Sequence, residues 1–523
     1  MKITYLGHAG FYVETESTII VMDPWLSRFG AFDSSWFQYP RNHHMADYVR
    51  EHFESSTKDK YIYISHEHKD HFDLGFLESL TNRNFKIVIA DFLRSIVKES
   101  LHNCHYQCTE IISLKHEEEY VIKDGSIRLY IIDAELDCDS AILLKTKEGS
   151  FLNINDCKIH EKLSKITKEH GPIDIFAAQF SGAIWHPVCY DMPEVQYQKI
   201  SRLKKANKFD TVFRAIETVH PKIYIPSAGP PCFLDPMLID INFQKVNIFP
   251  RAVQFIEYLN KRIKNSDIKW PELMPGDMID VATLDVLPLA KERVLDSNFE
   301  HYVRNYASEY TDFFHKREIE NKKVNPSKVF ADLRQDLENK LQHIHLSNVE
   351  VTTLLYWKIC DHEQMYCINF KEKTLTVTTE IEDPEHFWMI EAPAWQVRKV
   401  LSKEMNWPDF VLTLRVKLAR NPDVYNTVIH GFIALDSDEI EHFCDLVTKF
   451  HANKERIVIE YEGKKYSILR WCPHQGGDLR DGWLDKNCWV CPRHQWHFDI
   501  SNQGKCSHND ETIDAICLDD KKE

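Results

Sequence analysis

Two short strings near the C-terminal end fix what this chain must hold. Residues 472–479 read CPHQGGDL and residues 491–499 read CPRHQWHFD. The spacing is Cys-x-His, sixteen intervening residues, then Cys-x-x-His, which sets Cys472 and His474 in one loop and Cys491 and His494 in another. Each pair is close enough in sequence for its side chains to converge on one metal group. Two thiolates and two imidazoles suit a [2Fe–2S] cluster in which histidines replace cysteines on one iron, and the neutral imidazoles raise its potential. A zinc site of two Cys and two His is the alternative, although zinc fingers usually pair Cys with Cys and His with His. Such a cluster moves one electron at a time, so it implies a redox partner and, as a rule, a second redox site.

A second metal-type string lies early in the chain. KITYLGH, FYVET and TIIVMD read as short strands, and YIYIS (61–65) is a nearly continuous apolar run, as expected of a strand buried on both faces. It runs directly into His66-Glu67-His68-Lys69-Asp70-His71. Two histidines one residue apart, then Asp-His, put imidazole and carboxylate donors in one tight turn, and alternate residues can serve two adjacent metals. That donor mixture suits zinc or iron. The bland alternative is a solvated histidine-rich loop before a helix.

Resemblances narrow both readings. CPH-x-G-x-x-L and CP-x-H-x-W-x-F-D are similar to the ferredoxin-like Rieske domains of ring-hydroxylating oxygenases, without the extra cysteine pair that Rieske proteins of respiratory complexes use for a disulfide. Cys488 and Cys506 then remain outside the ligand set, as buried small apolar groups. The string His-x-His-x-Asp-His resembles the metal motif of the metallo-β-lactamase superfamily, which implies an αββα sandwich with metals at the loops after strands. By that resemblance Asp156, in FLNINDC, matches the metal-bridging aspartate. Two expected histidines are missing. Glu135, in DAELDCDSAILL, stands near one position, with Asp137 and Asp139 close by; the strand end at the other reads KIYIPSAGPP (222–231). Carboxylate for imidazole shifts the preference from zinc toward iron, one or two ions, with zinc the alternative. The predicted metal ligands of this half are thus His66, His68, Asp70, His71, Glu135 and Asp156.

Asp23-Pro24-Trp25-Leu26, ISHEHKDH, NINDC, PKIYIPSAG and LARNPDVYNTVIHGF (418–432) together resemble the CMP-N-acetylneuraminate hydroxylase family. In that family the Rieske domain leads the chain; here it trails. The resemblance implies an O2-dependent monooxygenase in which electrons from a ferredoxin, flavin reductase or cytochrome b-type carrier enter the Rieske cluster and pass to non-haem iron. It also implies a small, nucleotide-sugar-like substrate. Competing expectations are a metal-dependent hydrolase with an accessory Rieske domain, whose nucleophile would be metal-bound water, and a plain electron carrier on a fused scaffold.

The predicted fold class is α/β for residues 1–290, a helical and mixed α+β middle region for 291–450, and a small all-β Rieske domain for 451–523. Residues 296–345 look helical, with ADLRQDLENKLQHI as the clearest amphipathic run; 348–382 alternate like strands, and 392–407 look helical again. RIVIEYEGKKYSILRW (456–471) reads as a hairpin turning at Glu462-Gly463. FSGAIWHPVCY (180–190) follows a buried-strand pattern, so Ser181, Gly182 and His186 are candidate substrate contacts, against an ordinary turn with a packed Trp185. Arg41, His43 and His44 are candidates for an anionic group, against a solvated loop. A net charge of −16 over 523 residues disfavours nucleic acid as partner. No stretch approaches the apolar length needed to span a bilayer, and no signal peptide is evident. A cytoplasmic protein is expected, its fourteen cysteines free or metal-bound rather than in disulfides, with a homo-oligomer in view.

Overall fold

The computed structural model describes residues 1–133, 138–264, 266–347, 349–474, 476–507 and 511–519. The chain packs as two compact units, one of residues 1–133, 138–184 and 198–312, the other of 185–197 with 313 onward.

The first unit is built on two sheets. One runs through β1 (Lys2–Gly7), β2 (Gly10–Glu14), β3 (Thr18–Met22), β4 (Asp59–Ile64), β5 (Lys86–Ala90) and β6 (Glu110–Leu114). The other holds β7 (Glu119–Ile122), β8 (Gly125–Asp133), β9 (Cys138–Thr146), β10 (Gly149–Asn155), β11 (Ile175–Gln179) and β12 (Ile223–Ser227). The chain then returns to the first sheet's edge as β13 (Met278–Asp280) and β14 (Asp285–Leu287), giving the order β14-β13-β1-β2-β3-β4-β5-β6 beside β12-β11-β10-β9-β8-β7. Strands β3 to β6 are parallel, and β4 is buried from its second residue onward, which is why its sequence is apolar without alternation. The inward faces of both sheets share one core, with Phe11, Ile20, Tyr63 and Val88 from one and Leu129, Ile142, Phe151 and Ile225 from the other.

Helices cover the outer faces. α1 (His44–Val49), α2 (Leu74–Ser79) and α3 (Ile96–Asn103) pack Met45, Val49, Phe76, Leu77 and Leu101 against the first sheet. On the second sheet, α4 (Leu163–His170) follows β10, α5 (Glu194–Val219) follows β11 and α6 (Ala252–Arg262) follows β12. Phe209 of α5 and Phe255 of α6 meet in a ring cluster with Tyr224 of β12. The layers are therefore helix, sheet, sheet, helix, as the α/β expectation requires. Helix α7 (Phe299–Ser308) closes the unit.

The second unit has a helical and a β part. α8 (Thr311–Asn321) precedes α9 (Pro326–His343). Asn325 caps α9 by accepting from the backbone N–H groups of Ser327 and Lys328, and Pro326 opens its first turn. Val329, Leu333, Leu337 and Leu341 recur at helical spacing and are buried. A five-stranded sheet follows, of β15 (Leu354–Ile359), β16 (Met365–Asn369), β17 (Thr374–Thr378), β18 (Phe387–Ala392) and β19 (Lys417–Asn421), in the order β17-β16-β15-β18-β19. Helices α10 (Ala394–Leu401), α11 (Trp407–Leu412), α12 (Thr427–Ala434) and α13 (Ser437–Ala452) complete that part. Of the helix expected over 392–407, the structure has α10 at 394–401, and α11 begins only at Trp407, where Asn406 caps it by accepting from the Asp409 N–H. The Rieske region opens with the hairpin β20 (Arg456–Tyr461) and β21 (Lys464–Leu469), turning at Glu462 and Gly463, both at positive φ. It continues in β22 (Trp483–Asp485), β23 (Cys488–Val490), β24 (His497–Asp499) and β25 (Lys505–Cys506), with β26 (Ile516–Cys517) pairing back on β21.

None of the fourteen cysteines is in a disulfide. No helix among the described residues is long and apolar enough to cross a membrane.

Candidate metal centres

In the first unit, β4 ends at Ile64 and delivers Ser65 and the histidine string to one end of the sheet. Asp23, fully buried just after β3, organises that turn. Its carboxylate accepts from the Ser65 backbone N–H and hydroxyl, each at 2.8 Å. It also lies 3.0 Å from His71 Nδ1. A carboxylate accepting from Nδ1–H fixes the tautomer that leaves the Nε2 lone pair of His71 facing the pocket. Asp73 plays the same part for the preceding loop: it caps α2 at the Phe76 N–H and accepts from the Leu26 and Ser27 N–H groups, which pins Asp23-Pro24-Trp25-Leu26 to the site.

The donors converge. His66 Nε2 is 2.8 Å from His68 Nδ1, and His66 Nδ1 is 2.8 Å from Asp139 Oδ1. His71 Nε2 is 3.5 Å from Asp156 Oδ1 and 3.8 Å from Asp70 Oδ2. Two sets of three have all their ligand atoms within 4.8 Å of one another: His66, His71 and Asp156, and His8, Asp70 and His71. Burial opposes charge throughout. It pushes His68 down to about 3, with His66 adding to the effect. It also raises Asp156 above the usual carboxylate range. Burial would lower His66 too, but the Asp139 carboxylate lifts it to about 10. Asp70 would likewise rise on burial, yet His71 and the hydrogen bond from His8 hold it below its ordinary value.

A metal ion fits these residues. His71 Nε2 and Asp156 Oδ1 are both buried without a hydrogen-bond partner, which a folded interior rarely tolerates. They lie 3.5 Å apart, and His71 belongs to both three-residue sets. Of the residues expected from sequence, His66, His68, Asp70, His71 and Asp156 come together. Glu135 and Asp137 lie outside the described residues. Asp139 stands directly beside His66. His8 was missed. It sits sixty residues from the motif, and its signal was a histidine in a Gly-His-Ala-Gly turn between two strands.

The peripheral candidates fare differently. The Arg41 guanidinium is paired with Glu292, at 3.1 Å, and with Glu309, and its side chain stays 36% exposed. His43 lies 3.0 Å from the Tyr306 hydroxyl, and burial pushes it down to about 4. His44 begins α1. Ser181 is fully buried, and Gly182 donates to the Ile248 carbonyl in the first unit. His186 belongs to the second unit, with Nε2 3.7 Å from Asp423 Oδ1, and Trp185 packs edge-on to His430.

In the second unit, two loops of the same design present the four C-terminal donors. The Cys472 N–H donates to the Gly477 carbonyl, and the Cys491 N–H donates to the Trp496 carbonyl, each at 2.9 Å. The four donors adjoin one another: the Cys472 and Cys491 side chains interact, Cys491 also interacts with His494, and the His474 and His494 rings lie 4.5 Å apart. A cluster with thiolates on one iron and imidazoles on the other would draw on all four. Gly477 is required by the close approach: a Cβ there would lie 2.8 Å from Cys491 Sγ. Trp496 stacks on His474 at 3.9 Å, and Tyr425 meets it edge-on at 5.3 Å. Asp478 braces the first loop by accepting from Arg470 and Arg480. Cys506 is packed in the same small core as Ile468, Phe498 and Ile513.

Comparison with known proteins finds one domain match in each half of the chain. Residues 2–186 match a β-lactamase superfamily domain, and residues 433–516 match a Rieske [2Fe–2S] domain. A Mycolicibacterium smegmatis protein named as a Rieske 2Fe–2S iron–sulfur protein is 27% identical over 533 residues, spanning 97% of this chain and 98% of its own. A Mycobacterium tuberculosis protein of the same name is 27% identical over 527 residues, with the same coverage. Among solved structures, the diiron β-hydroxylase CmlA from Streptomyces venezuelae is 14% identical with a TM-score of 0.33, covering 52% of each chain. A protein from Veillonella parvula described as a possible metal-dependent hydrolase is 11% identical with a TM-score of 0.37, covering 54% of this chain and 99% of its own. The chain thus joins an N-terminal metallo-β-lactamase-like domain to a C-terminal Rieske [2Fe–2S] domain.

Proposed function

We propose that this chain is a Rieske-coupled oxygenase that uses non-haem iron in its metallo-β-lactamase-like domain to hydroxylate a small substrate. The observation that carries the reading is a buried pocket of histidines and carboxylates, with two unpartnered donor atoms, in the same chain as a Rieske domain. Two histidines and one carboxylate with open positions is the donor set of non-haem Fe(II) oxygenases.

His66, His68, Asp70, His71 and Asp156 would hold the iron, and Cys472, His474, Cys491 and His494 the cluster. When bound, these groups supply O2 activation and one-electron transfer. The balance is one substrate C–H, one O2, two electrons and two protons going to one C–OH and one water, with the electrons drawn from a ferredoxin, flavin reductase or cytochrome b-type donor.

The protein's own residues prepare the pocket. Asp23 holds the His71 tautomer, and His66 rests against Asp139. Trp496 covers the face of His474, which keeps water from that imidazole. The resemblance to CMP-N-acetylneuraminate hydroxylase makes a nucleotide-activated sialic acid the first substrate to assay.

The test is anaerobically purified full-length protein, given reductant and candidate substrate, with metal content and O2 uptake followed together. Iron beyond the two cluster atoms and substrate-stimulated O2 consumption are expected. Zinc in the N-terminal site, with turnover of a phosphoester, lactone or amide by cluster-free protein, would favour the hydrolase reading instead.

A further inference from the structure

The residue before the β1–β2 turn stands out once the metal pocket is in place. His8 is 4% exposed and adopts φ +54°, a left-handed conformation that few non-glycine residues take. Strained backbone of this kind concentrates at functional sites. The conformation is held from both sides: the His8 carbonyl accepts from the Tyr5 hydroxyl at 3.2 Å and from the Ala228 N–H at 2.9 Å. Its ring is set edge-on to Trp25 at 5.0 Å. Its Nε2 lies 3.0 Å from Asp70 Oδ2.

The contact with Ala228 is informative. Ser227 ends β12, where the superfamily resemblance leads one to expect a histidine. The chain has none there, and the residue right after Ser227 is bonded to His8. The turn between β1 and β2 therefore brings an imidazole to the place that β12 leaves without one.

We propose that His8 is a metal ligand, forming with Asp70 and His71 a second metal position in the first unit and replacing the histidine absent at the end of β12. The three ligand atoms lie within 4.8 Å of one another, and His71 Nε2 has no hydrogen-bond partner. His71 can give that nitrogen to one ion only. With it assigned to His8 and Asp70, the neighbouring position would draw on His66 and Asp156, which share a set with His71, and on His68, 2.8 Å from His66. The donors of the second position are two imidazoles and a carboxylate, a set that suits iron and also takes cobalt or zinc. The inference rests on the metal-binding part of the proposed function and not on its oxygen chemistry.

Co(II) titration of full-length protein, depleted of metal in the first unit, tests this without turnover. The Rieske electron paramagnetic resonance signal serves as the check on folding. Wild type is expected to take two Co(II) per chain with distinct absorption bands. His8→Gly tolerates the positive φ and leaves a ring-sized space. It is expected to keep one ion and to bind the second about a hundredfold more weakly or worse, with added imidazole restoring it. His8→Ala should lose the second ion likewise. Two ions of unchanged affinity and spectrum in His8→Gly would overturn the assignment, as would a single ion in wild type. A second ion lost from folded His8→Gly but not restored by imidazole would also overturn it. Two bound ions without substrate-stimulated O2 uptake of the iron form would sink the oxygenase reading and leave His8 in place; no ion at all would sink both.

Discussion

Asp23 shows how much one side chain can decide. It touches no candidate open position, yet it accepts from Ser65 twice and from His71 once. Outer partners of this kind typically govern metal affinity by about 10- to 100-fold. Asp23→Asn, which keeps the size but presents an amide, is expected to weaken binding at the His71 position by that factor, read by competition with a chromophoric chelator. Gly477 sets the limit at the other centre. With a Cβ only 2.8 Å from Cys491 Sγ, Gly477→Ala is expected to lower cluster iron and labile sulfide well below wild type, measured by chemical analysis beside the characteristic resonance signal. Trp496 acts through solvent. Reduction adds negative charge to the cluster, and water at His474 would stabilise that charge. Trp496→Leu should therefore raise the midpoint potential, on the order of tens of millivolts, in a redox titration.

Among the elements, α9 buries a titratable group in the second unit. Lys340 lies on its buried side, 1% exposed. Its ammonium donates to the Phe432 carbonyl of α12 at 3.1 Å and sits 4.0 Å over the Trp407 ring. Burial lowers its pKa to about 8, with Asp336, Asp436 and Glu439 opposing the shift. The folded value is below the unfolded one, so between about pH 8 and 10.5 the unfolded chain binds the extra proton. Stability from this group therefore rises with pH across that window and is penalised below it. The difference amounts to about 3 kcal/mol. In urea titrations, wild type should gain stability relative to Lys340→Met on going from pH 7 to pH 10; equal changes in the two proteins would contradict this. The cap of α9 is a simpler case: Asn325→Ala should cost about 1 kcal/mol in the same assay.

Much of the whole molecule was legible, for reasons that differ by region. The four C-terminal candidates were readable because a cluster would demand its ligands in short loops, and a short loop is a sequence motif. The string from His66 to His71 was readable because a buried apolar strand ran straight into it. His8 was not, because its role depends on a hairpin turn folding back across the first sheet, and a single histidine has no spacing to betray it. The partners of Arg41 were hidden because Glu292 and Glu309 lie about 250 residues away. The membership of residues 185–197 was equally hidden. They follow β11 without a break in pattern, yet they pack with the second unit.

That last feature governs how the protein can be taken apart. In the second unit, Leu418 of β19 donates to the Cys189 carbonyl at 2.8 Å, and its own carbonyl accepts from the Asp191 N–H at 2.7 Å. The borrowed segment therefore seals an otherwise open sheet margin. A fragment cloned from residue 313 onward would leave that margin bare, ready to recruit another chain. Self-association of such a fragment, relieved by supplying the 185–197 peptide, is what the interlaced chain order leads one to expect.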